Sequence, residues 1–320
     1  MFLSLVANTS LVTLDLSSLE NITVDNTAFR VICHCLQRNR ALKVLDISGW
    51  KFDLSLFPEM QDLMSTMLKN TNITHLSLAE CEFNISVNNS KKDEINDAMR
   101  TTFKLSNQTI EELNLDSILI LVNNIALKTR DVVSMLQFSA LKELDISEEA
   151  VPKLHISKDI KTSRENSTDF EDILVRDDFL LHFFQHLKDN FSNLEVLKMV
   201  NWKLKLSDTG QTTRQLKQCF KDLGQLKTIS LNNVEQNDPQ FLKCLIKYLP
   251  KLRCVSILRA ELSEDQVPTL VKALKHKVKT GSSITLHTKH VSYEVGVTDK
   301  DSEGLIIMMV FRVTTLCCSG

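Results

Sequence analysis

The residues in this sequence with the greatest potential for chemistry are cysteines and histidines that lie close together. Cys33, His34 and Cys35 are consecutive, whereas His182 and His186 are four residues apart. Residues two apart point to opposed sides of a helix, so Cys33 and Cys35 are poorly placed to share a metal ion. The histidine spacing suits a two-histidine surface site, although HFFQH lacks the acidic residue of HExxH. We expect the cysteines to pack inside a helix, and we predict no metal site.

Sequence motifs for nucleotide binding and catalysis are missing. The chain has 7 glycines among 320 residues and contains neither GxxxxGK[ST] nor GxGxxG. It has no CxxC pair, and neither a serine nucleophile elbow nor a paired-carboxylate site stands out. The sequence therefore predicts a protein that is not an enzyme and that uses no cofactor.

The net charge and the positions of the cysteines indicate which class of partner and which cellular compartment to expect. A net charge of -2 argues against nucleic acid or an anionic membrane as the main partner. Most of the eight cysteines fall in apolar patterns, where a thiol packs as a small hydrophobe, which indicates a reducing, cytoplasmic environment.

Potential glycosylation sites argue in the other direction. Eight N-x-[ST] sequons occur, at Asn8, Asn21, Asn72, Asn84, Asn88, Asn107, Asn166 and Asn190. Glycans are added only in the secretory pathway, and the opening MFLSLVANTS lacks the basic segment of a signal peptide. We expect unmodified sequons, with a glycosylated protein as the alternative.

The main organising feature is a repeated apolar word, L-x-x-L-x-L. Its copies are LVTLDL (11–16), LKVLDI (42–47), ITHLSL (73–78), IEELNL (110–115), LKELDI (141–146), LEVLKM (194–199), LKTISL (226–231) and LRCVSI (252–257), with a degenerate SSITLH at 282–287. Residues four and six of each word alternate with polar residues, which predicts a short strand with one buried face.

Amphipathic helical stretches follow most of these words. Apolar residues recur at helical spacing in 28–39, 59–70, 94–107, 178–191, 212–224, 239–250 and 267–278. One strand and one helix per ~30 residues is typical of a leucine-rich repeat, whose units bury their apolar faces by stacking. We therefore predict an α/β solenoid, a horseshoe with parallel strands on its concave face and helices on its convex face.

The ends and one insertion depart from the repeat. We predict a solenoid over residues 1–290 with a charged insertion near 148–177, expected to form a mobile loop, and a C-terminal cap or tail over 291–320. Residues 3–9 look like the end of a helix whose own strand is missing, so a preceding segment is expected. The apolar run 305–311 is too short to span a bilayer and is predicted to pair with 292–297.

The predicted concave face is where a partner would bind. Residues three, five and seven of each word point into it, which makes the early copies acidic and the later ones apolar with one cation. The candidate partner-binding residues are Asp15, Asp46, Glu112, Asp116, Glu143, Asp145, Val196, Lys198, Val200 and Leu258. A row of like charges attracts the opposite sign, so we predict a basic protein segment as partner. The alternative is that Asp only keeps an exposed strand soluble.

Resemblance to known repeats supports this fold. The long, helix-containing period, over roughly residues 3–287, resembles the ribonuclease-inhibitor-like class of leucine-rich repeats. The Asn or Cys that this class carries three residues after the sixth position is mostly missing here. Ser18, Gly49 and Cys81 lie near it, so irregular turn packing is expected.

Narrower resemblances suggest what such repeats would do. The LDISG wording is similar to the zyg-eleven/zer-one substrate receptors of cullin–RING ubiquitin ligases, and residues 7–18 resemble NOD-like receptor repeats. The first implies non-catalytic substrate recognition and contact with ligase subunits through a box motif, which we do not find. The alternatives are ligand sensing in a NOD-like receptor, a glycosylated receptor ectodomain, and a GTPase-activating repeat protein.

Overall fold

Parallel strands in two sheets, together with several helices, make this an α/β fold. The computed structural model describes residues 2–17, 22–55, 72–86, 105–122, 125–127, 129–134, 136–147, 174–175, 177–199, 203–204, 210–231, 239–257, 283–288, 291–297 and 305–311. These residues belong to two compact units. The first is formed by Met1–Ile146 and His186–Leu194, and the second by Ser147–Gln185 and Glu195–Gly320.

A parallel sheet in the first unit is built from the repeated word. Its strands, in spatial order, are β1 (Thr13–Asp15), β3 (Val44–Asp46), β5 (His75–Ser77), β8 (Glu112–Asn114) and β12 (Glu143–Asp145). The fourth residues of the words lie side by side in register, and Leu45, Leu113 and Leu144 are buried. Burying one leucine contributes about 1.5–3 kcal/mol, so this row fixes the register of the sheet.

A second sheet in the first unit was not expected from the sequence. It contains β2 (Thr23–Val24), β4 (Lys51–Ser55), β6 (Glu82–Ser86) and β9 (Leu119–Val122) as parallel neighbours, with β10 (Ile125–Leu127) antiparallel to β9. Phe52 stacks on Phe83 with ring centroids 4.5 Å apart. The alternation of KFDLS and EFNIS buries Phe52, Leu54 and Ile85. A second strand therefore follows the turn where a helix was expected directly.

Six helices occur in the described part of the chain. They are α1 (Phe2–Leu5), α2 (Asn26–Arg38), α3 (Thr129–Ser134), α4 (Asp177–Asn190), α5 (Gly210–Asp222) and α6 (Pro239–Tyr248). The predicted helices 28–39, 178–191, 212–224 and 239–250 are thus confirmed. In α2, the Asp25 carboxylate accepts a hydrogen bond from the Ala28 N–H at 2.8 Å, which caps the first turn.

One predicted helix is wrong at its C-terminal end. Residues 94–107 were expected to be helical, but Leu105–Asn107 forms β7, which pairs in parallel with β11 (Leu136–Phe138). Asn107 ends the strand, because its side chain accepts hydrogen bonds from the N–H groups of Thr109 and Ile110. The predicted helices 59–70 and 267–278 lie outside the described residues, and no helix that is described has the length and apolar character needed to cross a membrane.

The strands of the second unit pair in both parallel and antiparallel fashion. Strands β14 (Val196–Lys198), β16 (Thr228–Ser230), β17 (Cys254–Ile257) and β18 (Ser283–Thr288) are parallel neighbours. Strands β19 (Val291–Val297) and β20 (Leu305–Phe311) continue the sheet as antiparallel neighbours. The predicted pairing of 305–311 with 292–297 is confirmed, with Ser292 opposite Val310 and Val297 opposite Leu305.

Part of the predicted insertion has regular structure. Within 148–177, residues Leu174–Val175 form β13, which pairs in parallel with β15 (Lys203–Leu204), and α4 begins at Asp177. Residues 148–173 lie outside the described residues.

In the described part of the chain, three turns that follow strands of the parallel sheet have a left-handed residue. Gly49, Glu80 and Ser117 have φ of 79°, 57° and 55°, and each lies two residues after the sixth position of its word. The next residue in two of these turns, Trp50 or Cys81, is buried and donates a hydrogen bond to the sixth-position carbonyl of the preceding word. These bonds join Trp50 Nε1 to the Leu16 oxygen and Cys81 Sγ to the Ile47 oxygen, both at 3.2 Å. In these two turns, Trp50 and Cys81 stand at the position of the expected Asn or Cys and make equivalent hydrogen bonds, whereas Ser18 lies outside the described residues.

A buried asparagine precedes the strand in two of the words. Asn39 lies three residues before Leu42, and its side chain donates to the carbonyls of Leu5 and Asn8 at 2.6 and 3.1 Å. It also accepts from the N–H groups of Ala41 and Leu42. Its amide thus satisfies four backbone groups at the entry to β3.

Replacing Asn39 with Ala is expected to lower the free energy of unfolding by about 3 kcal/mol, because buried backbone groups lose their partners. Urea denaturation of the full chain measures this. The control is Asn72→Ala, which removes one hydrogen bond of 3.3 Å to the Arg40 carbonyl and should cost about 0.5 kcal/mol or less. Equal losses in both variants would contradict the role assigned to Asn39.

His186 should make the stability of the protein depend on pH. Its Nε2 lies 3.0 Å from the Leu136 carbonyl, and its Nδ1 lies 3.0 Å from Asn190 Nδ2. Burial lowers the pKa of His186 below the ordinary value of 6.5, more than its carbonyl contacts and Asp189 raise it. The unfolded chain therefore binds the proton first as pH falls, so stability is complete above about pH 6.5 and is lost as pH falls through the folded pKa.

Urea denaturation between about pH 5 and 7.5 checks this dependence. His186→Gln should flatten the fall in unfolding free energy on acidification. His34→Gln, on the exposed side of α2, is the matched control for loss of one histidine. An unchanged slope in His186→Gln would contradict the assignment.

Candidate functional site

The exposed side of the first unit's parallel sheet carries the predicted acidic residues. The first and third residues of each strand point away from the buried leucines, as the pattern for β3, β8 and β12 shows. We call this surface the strand face, formed by Thr13, Asp15, Val44, Asp46, His75, Ser77, Glu112, Asn114, Glu143 and Asp145.

The register places these side chains in two rows. One row runs Thr13, Val44, His75, Glu112, Glu143, and the other runs Asp15, Asp46, Ser77, Asn114, Asp145. Neighbouring strands are about 4.8 Å apart, so Asp15 lies beside Asp46, and Glu112 lies beside Glu143. The predicted acids therefore form two groups, separated by His75 and Ser77.

Local hydrogen bonds explain the recurring Leu-Asp-x-Ser wording. Asp15 Oδ1 accepts from the Ser17 N–H and Oγ at 2.9 and 2.6 Å, and Asp46 Oδ1 accepts from the same groups of Ser48 at 2.9 and 2.5 Å. In the fourth word, Asn114 Oδ1 accepts from the Asp116 N–H at 2.9 Å. In these three words the fifth residue thus closes the turn that follows the strand.

The bonds from Ser17 stabilise the charged form of Asp15. The hydroxyl and N–H of Ser17 lower the pKa of Asp15 below its ordinary value of 3.8. Among the described residues, neither Asp15 nor Asp46 has a cationic side chain within salt-bridge distance. Asp has a structural role here, and its negative charge stays at the surface.

A histidine lies between the two acidic groups. His75 Nε2 is 3.1 Å from Glu112 Oε1, and Thr74 Oγ1 is 2.8 Å from His75 Nδ1. The Glu112 side chain is still 51% exposed. Sequence reasoning placed His75 on this face but gave it no role, because only the register shows that its neighbour is Glu112.

Lysines at the second position of two words form ion pairs with glutamates. Lys142 Nζ lies 2.7 Å from Glu111 Oε2, and in the second unit Lys227 Nζ lies 2.5 Å from Glu195 Oε2. All four belong to the second position of their words, one residue before the strand. The second position of these words thus carries ion pairs of its own.

The remaining predicted partner-binding residues do not belong to the strand face. Asp116 is half-buried and accepts a hydrogen bond from Ser117 Oγ at 2.9 Å. Val196 and Lys198 are the half-buried ends of β14 in the second unit, beside Thr228 and Ser230. Val200 and Leu258 lie outside the described residues.

The seventh position of the words does not always face outward, as was expected. Ser17 is exposed and Ser48 is half-buried, but Ser147 is 5% exposed and belongs to the core. The prediction for Ser147 is therefore wrong. The strand has ended by this position, so the alternation of faces no longer controls it.

Cys33 and Cys35 lie in α2, and His182 and His186 lie in α4. Cys33 and Cys35 are fully buried in α2, and burial raises the pKa of Cys33 to about 12, so it stays a neutral thiol. His182 is exposed, whereas both ring nitrogens of His186 are engaged by Leu136 and Asn190. The described residues contain no group of three metal-ligating side chains.

Comparison with known proteins gives no assignment. The chain matches none of the protein-family models against which it was scanned, and a search of curated proteins finds no significant match. The functional argument therefore depends on the strand face alone.

Substituting Ser17 with Ala should raise the pKa of Asp15 toward 3.8 while the N–H bond keeps it partly depressed. A pH titration of carboxyl carbon shifts by NMR measures this. Ser10→Ala is the control, because Ser10 Oγ bonds to Asn8 and not to Asp15. A pKa of Asp15 that does not respond to Ser17→Ala would contradict the turn-closing geometry.

Proposed function

We propose that this chain is a non-catalytic protein-recognition module of the leucine-rich repeat type. Three features that recur at equivalent positions support the repeat reading. They are the leucine row of the parallel sheet, the left-handed turn at Gly49 and Glu80, and the hydrogen bond from Trp50 or Cys81 to the preceding word. A solenoid with concave strands and convex helices accounts for all three.

The observation that carries the function is the charge of the strand face. Asp15 and Asp46 are held in place by serine hydrogen bonds, and their carboxylates lack cationic partners among the described residues. Fixed like charges on one face create a field that attracts a cationic partner. The proposed ligand is a basic segment of another protein.

The more specific form of the proposal is substrate recognition for a cullin–RING ubiquitin ligase in the cytoplasm. It rests on the likeness of LDISG at 45–49 to the substrate receptors of such ligases. In that form the acidic strand face binds the substrate segment, and ligase subunits bind elsewhere.

One described sequon disfavours the alternative of a glycosylated ectodomain. Asn107 is 2% exposed, and its Oδ1 accepts hydrogen bonds from Thr109 and Ile110 at 2.6 Å each. A glycan on this side chain would have to be attached before the surrounding turn closes. No comparable observation separates the ligase reading from ligand sensing in a NOD-like receptor.

Affinity purification of the full-length product from its own cells, with mass spectrometry, tests the proposal. Cullin and elongin subunits are expected for the ligase form, whereas inflammasome components would replace it by the NOD-like reading. The recovered partner is then tested against Asp46→Asn, Glu112→Gln, Glu143→Gln and Asp145→Asn combined. Binding should weaken by about tenfold or more and lose part of its salt dependence.

The control variant removes four acids that lie off the strand face: Asp53→Asn, Glu82→Gln, Asp189→Asn and Asp222→Asn. It should bind the partner as the wild-type chain does. A strand-face variant with unchanged affinity and unchanged salt dependence would show that the acids only keep the strands soluble.

A further inference from the structure

A second charged cluster lies on two helices of the second unit. Helix α5 supplies Lys217 and Lys221, one turn apart, and helix α6 supplies Lys247 and its last residue, Tyr248. The three ammonium nitrogens lie 5.7, 5.7 and 5.5 Å from the centroid of the Tyr248 ring. We call these four residues the lysine–tyrosine cluster.

The aromatic ring explains how three like charges come together. The face of a tyrosine ring is electron-rich, so it attracts a cation within about 6 Å. Tyr248 is half-buried and fixed at the end of α6, whereas Lys221 and Lys247 are exposed. The ring therefore gathers the ammonium groups at one point of the surface, although their mutual repulsion would separate them.

Acidic side chains do not neutralise this cluster in the described part of the chain. None of the three lysines has a carboxylate within 4.0 Å there. The nearby Asp222 carboxylate instead accepts from Gln218 Nε2 at 2.9 Å. Together α5 and α6 contain five basic residues and one acidic residue.

The thiol beneath the cluster does not supply the missing negative charge. Cys244 is buried on α6, and burial raises its pKa to about 11, although Lys217 and Lys247 act in the opposite direction. The thiol is therefore neutral at physiological pH, and the positive charge of the cluster is open to a ligand.

We propose that the lysine–tyrosine cluster binds an acidic segment, rich in Asp and Glu, of a partner protein. Lysine ammonium groups offer point charges that pair with carboxylates, and the ring provides a flat apolar contact for the peptide stem. Because the three cations converge on one ring, they match a short run of carboxylates. A nucleic acid backbone instead favours a longer row of cations, and the chain as a whole has a net charge of -2.

This site is distinct in chemistry from the strand face. The strand face is acidic and attracts a basic segment, whereas the cluster is basic and attracts an acidic one. The two proposals can therefore fail independently, since each depends on its own set of substitutions.

Fluorescence anisotropy of the full chain with a labelled peptide of alternating Glu and Ser tests the proposal at about 0.15 M salt. The variant combines Lys217→Gln, Lys221→Gln and Lys247→Gln. We expect it to bind the peptide at least about tenfold more weakly than the wild-type chain does. The matched control, Arg30→Gln, Arg38→Gln and Lys43→Gln, removes the same charge from the first unit and should bind as the wild-type chain does.

Two substitutions at Tyr248 separate the ring from the charges. Tyr248→Phe keeps the ring and should preserve binding, and Tyr248→Leu should weaken it because the lysines lose their common contact. Equal affinity in the lysine variant and its control would overturn the proposal. The proposal would also be overturned if poly(U) RNA bound more tightly than the peptide and the lysine variant lost that RNA binding. This result would identify a nucleic-acid site.

Discussion

The burial of one leucine from each strand of the parallel sheet is the constraint on which the first unit depends. Leu45, Leu113 and Leu144 are enclosed, and their register decides which residues of the neighbouring positions reach the surface. A slip of one residue would turn every acid of the strand face toward the core. The same packing therefore determines both the stability of the sheet and the order in which its charges face a partner.

Much of the first sheet could be predicted because its signal is repeated. Each word carries the same alternation, and the strands found at 44–46 and 143–145 lie inside words recognised from the sequence. The second sheet could not be predicted in this way. The alternation in KFDLS competes with the amphipathic helix pattern that follows it in the sequence. Trp50 was missed for a related reason, since the search expected an Asn or Cys, while the structure requires only a hydrogen-bond donor.

The acids of the candidate site could be predicted as exposed residues, but the role of two aspartates in closing the turns could not be predicted. Aspartate two residues before serine looks like surface composition until the distances show that Ser17 and Ser48 bind the carboxylates. At Asp15, the hydrogen bonds to the charged form lower the pKa of the carboxyl group, so turn closure and surface charge have one origin there. The lysine–tyrosine cluster escaped prediction because its members come from two helices, and only their packing brings them around one ring.

The turn bonds also determine where the chain can change its length. Trp50 reaches Leu16, and Cys81 reaches Ile47, each across 34 residues. In the second, third and fourth words, the same number of residues separates the first residue of the word from the start of its second strand. These second strands begin at Lys51, Glu82 and Leu119. The third and fourth words nevertheless begin 37 residues apart, where the earlier spacing is 31. The six added residues therefore fall between Ser86 and Leu105. Insertions are thus excluded from the strand–turn–strand segment and are accommodated in the segment that leads to the next strand.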